Sequence, residues 1–175
     1  METDSKGDVI VKKNVVLIGM PGSGKSTVGV VLAKKLGYRF IDMDIVIQNQ
    51  QGMLLRQIIA EQGNKEFMKI ESRANEEINV KSTVIAPGGS VVLEPEAMQH
   101  LKEIGKVVYL KVEYEELKQR LGDLEARGVI LEEGTTLHEI YNLRTPFYEK
   151  YADVIIEETG KSLYETVEAV LKVVT

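Results

Sequence analysis

The stretch from Gly19 to Thr27 constrains the fold of this chain more than any other part of its sequence. It reads GMPGSGKST and matches the phosphate-binding pattern G-x-x-x-x-G-K-[ST] at every fixed position. The apolar run Asn14 to Ile18 precedes it and predicts a buried strand, and the apolar residues within Ser26 to Leu36 recur at helical spacing. A chance glycine turn is the alternative, but the complete motif in this context predicts a nucleoside triphosphate site.

The motif assigns a role to each of its residues. Backbone N–H groups of a glycine-rich turn converge on an anion, and the unpaired N–H groups at the helix start add partial positive charge. Lys25 is expected to reach the β- and γ-phosphates, and the Ser26 hydroxyl to bind Mg²⁺. The predicted ATP ligands in this stretch are Gly22, Ser23, Gly24, Lys25, Ser26 and Thr27.

Composition limits the other functions open to the chain. Its 175 residues suit one domain, and 43% hydrophobic with 28% charged residues is typical of a soluble globular protein. A net charge of -5 argues against a nucleic-acid partner, and no apolar run approaches the ~20 residues that cross a membrane. The absence of cysteine excludes disulfides and thiolate metal sites. We expect a cytoplasmic, monomeric enzyme for a small-molecule substrate, with residues 1–13 as a flexible leader.

Strands and helices alternate along the rest of the chain, which predicts a parallel sheet with helices on both faces. Ligands of such α/β folds bind beyond the carboxyl ends of the strands. The segment 122–135 has weak periodicity and three glycines, and is predicted to be a mobile loop. The other predicted strands are 39–43, 83–86, 106–112 and 154–156, and the predicted helices are 26–36, 45–51, 53–61, 64–80, 95–104, 114–121, 136–151 and 162–173.

Two aspartates lie at the end of the second predicted strand. Asp42 and Asp44 are alternate residues, so in extended geometry their side chains point to the same side. One carboxylate could hold Mg²⁺, and the other could accept a proton or a hydrogen bond from a substrate hydroxyl. The alternative is an N-cap at Asp44 with Asp42 solvated. The neighbouring phosphate-binding motif favours the functional interpretation.

Glycines and arginines supply the remaining candidate groups. Gly88 and Gly89 follow a buried strand, where they permit close approach of the backbone to a ligand or form a tight turn. Arg127 in the predicted loop could neutralise charge during phosphoryl transfer, or be a solvated surface residue. Arg144 could bind an anionic group through two hydrogen bonds or form a surface ion pair, and Arg120 could stack on adenine or cap its helix.

Taken in order, these motifs resemble the shikimate kinase family. Besides the phosphate-binding motif, the resemblance rests on F-x-D-x-D at Phe40 to Asp44, on the Gly88-Gly89 turn, and on R-x-P-x-Y-x-x-x-A-D at Arg144 to Asp153. It implies a three-layer P-loop NTPase fold with a five-stranded parallel sheet, a substrate-binding helical region and a lid, here 122–135. It also implies transfer of the γ-phosphoryl group of MgATP to a hydroxyl of shikimate, in aromatic amino-acid biosynthesis.

The resemblance also implies residue roles. Asp42 would lie near the metal with Ser26, and Arg120 falls near an adenine-stacking arginine of the family. Asp44 would bind the acceptor hydroxyls and act as base, and Arg144 falls where an arginine binds the substrate carboxylate. The implied catalytic set is Lys25, Asp44 and Arg127, and the implied substrate-binding set is Asp44, Gly88, Gly89 and Arg144.

Three positions depart from the family's pattern, all on the acceptor side or in the lid. Where the family has a substrate-binding arginine in an F-R-x-x-E helix, this chain has Met68. Methionine supplies neither charge nor a donor, so the lost contact should cost on the order of 1.5–3 kcal/mol unless Lys69 or Arg73 replaces it. In addition, Pro87 replaces the first glycine of a triplet, and Gly128 replaces the proline after the lid arginine.

These departures leave more than one function open. The leading hypothesis is a shikimate kinase, and the nearest alternative is a related kinase for another hydroxy acid, hydroxy amino acid or polyol. A nucleoside monophosphate kinase would need several arginines around the acceptor phosphate, and the predicted acceptor region offers only Arg56 and Arg73. A nucleotide-binding module without turnover is a further alternative, against which the intact Lys25 and Asp44 argue.

Overall fold

The computed structural model describes residues 14–122 and 134–175. The predicted leader (1–13) lies outside the described residues, and so do Arg127, Gly128 and most of the predicted lid (122–135). In the two described ranges, no helix is both long enough and apolar enough to cross a membrane.

Five parallel strands form one sheet in the order β2-β3-β1-β4-β5, which confirms the predicted α/β architecture. β1 is the central strand of this order, and all of its residues are buried. The strands are β1 (Asn14–Ile18), β2 (Arg39–Asp42), β3 (Thr83–Ala86), β4 (Gly105–Lys111) and β5 (Val154–Glu157).

Eight helices and one 3₁₀ turn (Val91–Leu93) connect the strands in the described part of the chain. All the helix ends lie within three residues of the predicted ones, and two helices match at both ends. The helices are α1 (Lys25–Leu36), α2 (Met43–Gln51), α3 (Leu55–Gln62), α4 (Asn64–Glu77), α5 (Pro95–Ile104), α6 (Tyr114–Leu121), α7 (Leu137–Tyr151) and α8 (Leu163–Val174).

The helices cover both faces of the sheet, and the alternation along β1 shows how. Val16 and Ile18 point into one core, which α2 to α7 complete, whereas Val15 and Leu17 point into a second core with α1 and α8. The connection after β1 therefore runs over one face, and the connection after the neighbouring β3 runs over the other. Such a reversal opens a crevice between the carboxyl ends of the two strands.

Helix α2 begins earlier than its sequence pattern predicts. The predicted second strand included Met43, but the strand ends at Asp42 and Met43 is already helical. The Asp42 carboxylate accepts a hydrogen bond from the Asp44 backbone N–H at 3.0 Å, which satisfies a free N–H of the first turn. The prediction that Asp42 and Asp44 share an extended segment was therefore wrong. Asp42 is the N-cap, and Asp44 belongs to the helix.

Candidate active site

The phosphate-binding loop (19–26) connects β1 to α1 at the crevice between β1 and β3. Gly22 and Gly24 have φ of +80° and +84°, values that L side chains rarely adopt. A Cβ on Gly22 would also lie 2.8 Å from Leu121, so the turn packs directly against the end of α6. The two glycines are therefore required by the backbone path that brings the N-terminus of α1 to the crevice.

The Lys25 ammonium is held at the base of this loop. Its Nζ donates to the carbonyl oxygens of Gly19 and Met20 at 2.8 and 2.9 Å. Desolvation lowers the pKa of Lys25 to about 8, although the nearby Asp44 carboxylate opposes the change. Because burial disfavours the charged form of Lys25, a bound anion would strongly stabilise its ammonium group. This environment suits a lysine that binds phosphate.

Ser26 and Asp42 come together beside the loop, as predicted for a metal site. The Ser26 hydroxyl donates to Asp42 Oδ2 at 2.7 Å, while Asp42 Oδ1 is occupied by its capping bond. Hydroxyl and carboxylate oxygens are the ligands that Mg²⁺ prefers, and kinase sites complete its coordination with phosphate oxygens and water. The pair therefore fits a Mg²⁺ ion bound together with a nucleotide.

A cleft of about 570 Å³ runs from the phosphate-binding loop to the predicted acceptor region. Asp44 lines it from the first turn of α2, so the helical position of this residue still places its carboxyl group in the site. Burial, and then the Asp42 carboxylate, raise the pKa of Asp44, whereas Lys25 lowers it. The predicted residues that line the cleft are Gly22, Gly24, Lys25, Ser26, Thr27, Asp42, Asp44, Gly88, Gly89 and Arg144.

Two predicted ATP ligands lie outside this cleft. Ser23 is fully buried and is not among the residues that line the cleft. Arg120 lies at the end of α6, where it pairs with Glu116 and donates to Glu158 Oε1 at 3.1 Å. Its Nη1 also lies 3.4 Å from the carbonyl oxygen of Gly22, so Arg120 is adjacent to the loop. Adenine stacking by Arg120 remains a prediction.

The Gly88-Gly89 turn follows β3 and lines the cleft. A Cβ on Gly88 would overlap the Glu71 carboxylate, and a Cβ on Gly89 would lie 3.2 Å from Arg144 Nη1. The Tyr148 hydroxyl fixes the turn by donating to the Gly89 carbonyl at 2.6 Å. Glycine is needed at both positions because charged side chains lie close to the backbone there. A tight turn, which was the alternative, would not by itself require this.

Arg144 lies in α7, and its guanidinium group lies next to the Gly88-Gly89 turn. Its Nε is buried without a hydrogen-bond partner among the described residues, and none of the ion pairs in those ranges includes it. The alternative of a surface ion pair is therefore wrong for residues 14–122 and 134–175. A half-buried arginine that forms no ion pair with the other described residues is suited to bind an anionic ligand.

Position 68, where this chain lacks the family's arginine, lies at the cleft. The two residues predicted to replace that arginine do not. Met68 lines the cleft from α4, whereas Lys69 and Arg73 are exposed and do not. Lys69 instead pairs with Glu66 at 3.2 Å, and its side chain is 71% exposed. Arg56 is also exposed and absent from the lining. The described part of the cleft therefore contains neither of the two predicted substitutes, and it contains no cluster of arginines that could bind an acceptor phosphate.

Sequence reasoning missed Glu71, which is 1% exposed and lines the cleft. The Ser90 hydroxyl donates to its Oε2. The helix pattern contained a signal, because Glu71 follows Phe67 by four residues and therefore lies on the apolar face of α4. A carboxyl group on a buried helix face requires a hydrogen-bonding or charged partner, which can be part of the structure or a ligand.

Comparison with known proteins is consistent with the site. The family model for shikimate kinase matches residues 21–175. The shikimate kinase of Persephonella marina is 34% identical over 160 residues, covering 91% of this chain and 97% of that protein. The shikimate kinase of Thermodesulfovibrio yellowstonii is 37% identical over 163 residues, covering 91% and 94%. Among solved structures, shikimate kinase from Acinetobacter baumannii in complex with shikimate superposes with a TM-score of 0.85 at 29% identity, covering 93% of this chain and 92% of that one.

Proposed function

Because this chain belongs to the shikimate kinase family, it is a small-molecule kinase, and we propose that it transfers the γ-phosphoryl group of ATP to a hydroxyl group of shikimate. One observation carries the proposal. A single cleft joins the phosphate-binding loop to Asp44 and to Arg144, which forms no ion pair with any other described residue. The complex of the Acinetobacter baumannii relative with shikimate supports the choice of acceptor.

The nucleotide end of the cleft supplies positioning and charge. Backbone N–H groups of the loop and the N-terminus of α1 hold the phosphates, and Lys25 leaves its two carbonyl partners to contact the β- and γ-phosphates. Ser26 and Asp42 would hold Mg²⁺, which neutralises negative charge on the phosphate oxygens. Because phosphoryl transfer requires little covalent help from a protein, these contacts account for most of the catalysis.

The acceptor end orients the nucleophile. Arg144 binds the carboxylate of shikimate, so that an acceptor hydroxyl faces Asp44 near the γ-phosphate. The hydroxyl oxygen forms the new bond to phosphorus as the bond to the β–γ bridging oxygen breaks, and ADP leaves. Asp44 accepts the hydroxyl proton, which its partly desolvated carboxylate does more readily than an exposed aspartate.

The test is ADP formation by the purified full chain with ATP, Mg²⁺ and millimolar shikimate, with mass spectrometry of the product. We expect Mg²⁺-dependent turnover and one added phosphoryl group on shikimate. No turnover with shikimate, but turnover with another hydroxy acid, hydroxy amino acid or polyol, would overturn the assignment of the acceptor. ATP binding without transfer to any member of that panel would support a non-catalytic nucleotide-binding module.

Met68→Arg is expected to lower the KM for shikimate. The half-buried methionine lines the cleft, and an arginine there adds a charge-assisted hydrogen bond of about 1.5–3 kcal/mol, roughly ten- to more than a hundred-fold in affinity. Steady-state kinetics at saturating ATP measure it, with Lys69→Arg on the exposed side of the same helix as the matched control. Loss of turnover with no gain in shikimate affinity would show that the pocket is built for another acceptor.

Several parts of the proposal remain predictions from the sequence. They include the catalytic role of Arg127, closure of the lid over 122–135, the single-domain organisation, the monomeric state, the cytoplasmic location, and the lack of nucleic-acid and membrane partners.

A further inference from the structure

The Glu71 carboxyl group lines the cleft, and it forms no ion pair with a cation among the described residues. Its side chain is buried, and Ser90 is the hydrogen-bond donor to it. No lysine or arginine nitrogen lies within 4 Å of it in the ion pairs of residues 14–122 and 134–175. Met68, one helical turn earlier, contributes an apolar side chain where a cation could have balanced the charge.

A second carboxyl group faces Glu71 across the Gly88 backbone. A Cβ on Gly88 would overlap Glu71 Oε1 and would also lie 3.4 Å from Asp44 Oδ1, so both carboxyl groups approach the same point. Two poorly solvated carboxyl groups that approach the same point each disfavour the charge of the other. This arrangement therefore favours protonation of one of the two.

The surroundings assign that proton to Glu71. Burial raises the pKa of Glu71 to about 7, and the hydrogen bond from Ser90 only partly opposes this. Of the charged groups that face it, Asp44 and Glu94 raise the pKa further, whereas Arg144 lowers it. The remaining titratable neighbour is the Tyr148 hydroxyl, which is neutral because burial raises its pKa to about 12. Asp44 is only half-buried, and Lys25 opposes the rise in its pKa that burial and the Asp42 carboxylate cause.

We propose that Glu71 binds the acceptor in its protonated form, donating its carboxyl O–H to the acceptor carboxylate that Arg144 also holds. Glu71 thereby supplies the donor that an arginine at position 68 would supply. The inference rests on the proposed function, because it takes an anionic acceptor beside Arg144 as given. An ionised Glu71 would instead repel that acceptor, so Glu71 is a specificity-determining residue whose proton is part of the binding site.

The consequence is proton uptake on acceptor binding. Below the pKa of free Glu71, the group is already protonated and the acceptor affinity is independent of pH. Above it, each binding event takes a proton from solution. The Kd then increases with pH, and the increase approaches about tenfold per pH unit. The nucleotide-free enzyme shows this effect without interference from the phosphates.

Titration calorimetry of the nucleotide-free full chain with shikimate tests this at pH 8, in two buffers that differ in ionisation enthalpy. We expect uptake approaching one proton per shikimate. Glu71→Gln should reduce the uptake to near zero and bind at pH 8 at least as tightly as the parent, because glutamine is a permanently neutral donor. Met68→Arg should also abolish uptake, because the arginine pairs with Glu71, which then stays ionised with its charge balanced, and itself donates to the acceptor carboxylate. Glu77→Gln, at an exposed position of the same helix, should leave uptake unchanged.

Three results would overturn the inference while leaving the proposed function intact. They are shikimate binding without proton uptake, uptake that persists in Glu71→Gln, and a folded Glu71→Gln that loses affinity at every pH. If Glu71→Gln does not fold, Ser90→Ala decides, because removing the hydrogen bond to the ionised form should extend uptake to higher pH. Failure of the parent to bind or phosphorylate shikimate even at pH 6 would instead overturn the proposed function, and this inference with it.

Discussion

Asp44→Asn is expected to reduce kcat for phosphoryl transfer by about 10²- to 10⁴-fold, the range for removal of a general base. Asparagine keeps the size of the side chain and one hydrogen-bond acceptor, but it cannot take the proton of the attacking hydroxyl. The change in ATP affinity should be small, because Asp44 acts on the phosphate-binding loop through its electrostatic interaction with Lys25. We therefore expect an ATP Kd within a few-fold of the parent's, alongside near-complete loss of turnover.

Two measurements separate this outcome from a structural effect. Nucleotide binding is measured by calorimetry and turnover by ADP formation, with Glu61→Gln on the exposed side of the neighbouring α3 as the matched control. The control should retain both. Parallel loss of ATP affinity and turnover in Asp44→Asn would assign Asp44 to the nucleotide site and leave the acceptor hydroxyl without a base.

The parts of the fold that the sequence predicts well are those decided by local pattern. β1 has four consecutive apolar residues after Asn14 and ends at the phosphate-binding motif, so both its ends are found correctly. Helix α5 is also predicted exactly, because Pro95 marks its first turn and Gly105 follows its last residue. The phosphate-binding loop is recognisable because a short contiguous motif determines both its backbone path and its chemistry.

The site was harder to predict where a side chain finds its partner across the fold. The local exception is Asp42, which could extend the strand or cap a helix, and whose carboxylate accepts from the N–H of Asp44 two residues later. The pairing of Glu71 with Ser90 joins α4 to the turn after β3, and nothing local to either residue predicts it. Arg144 likewise could have found a surface carboxylate, and only the packing of α7 against the Gly88-Gly89 turn removes that option.

Lys25→Met is expected to impair both ends of the reaction. Loss of the ammonium should lower transfer by about 10²- to 10³-fold, as for removal of one donor that stabilises the transition state. It should also weaken ATP binding by roughly ten- to more than a hundred-fold, because charge-assisted hydrogen bonds to the phosphates are lost. Methionine preserves the aliphatic stem in the loop, and Lys34→Met, at an exposed position of the same helix, is the matched control.

The pH dependence of ATP binding identifies the ammonium itself. Because desolvation lowers the pKa of Lys25 to about 8, the empty site loses its positive charge as the pH rises through that value. The phosphates favour the charged form, so ATP affinity of the parent should fall above about pH 8, while that of Lys25→Met should remain flat. A flat profile in the parent would show that Lys25 does not bind the phosphates. With Asp44→Asn affecting transfer alone, the two variants would divide the cleft into a nucleotide end and an acceptor end.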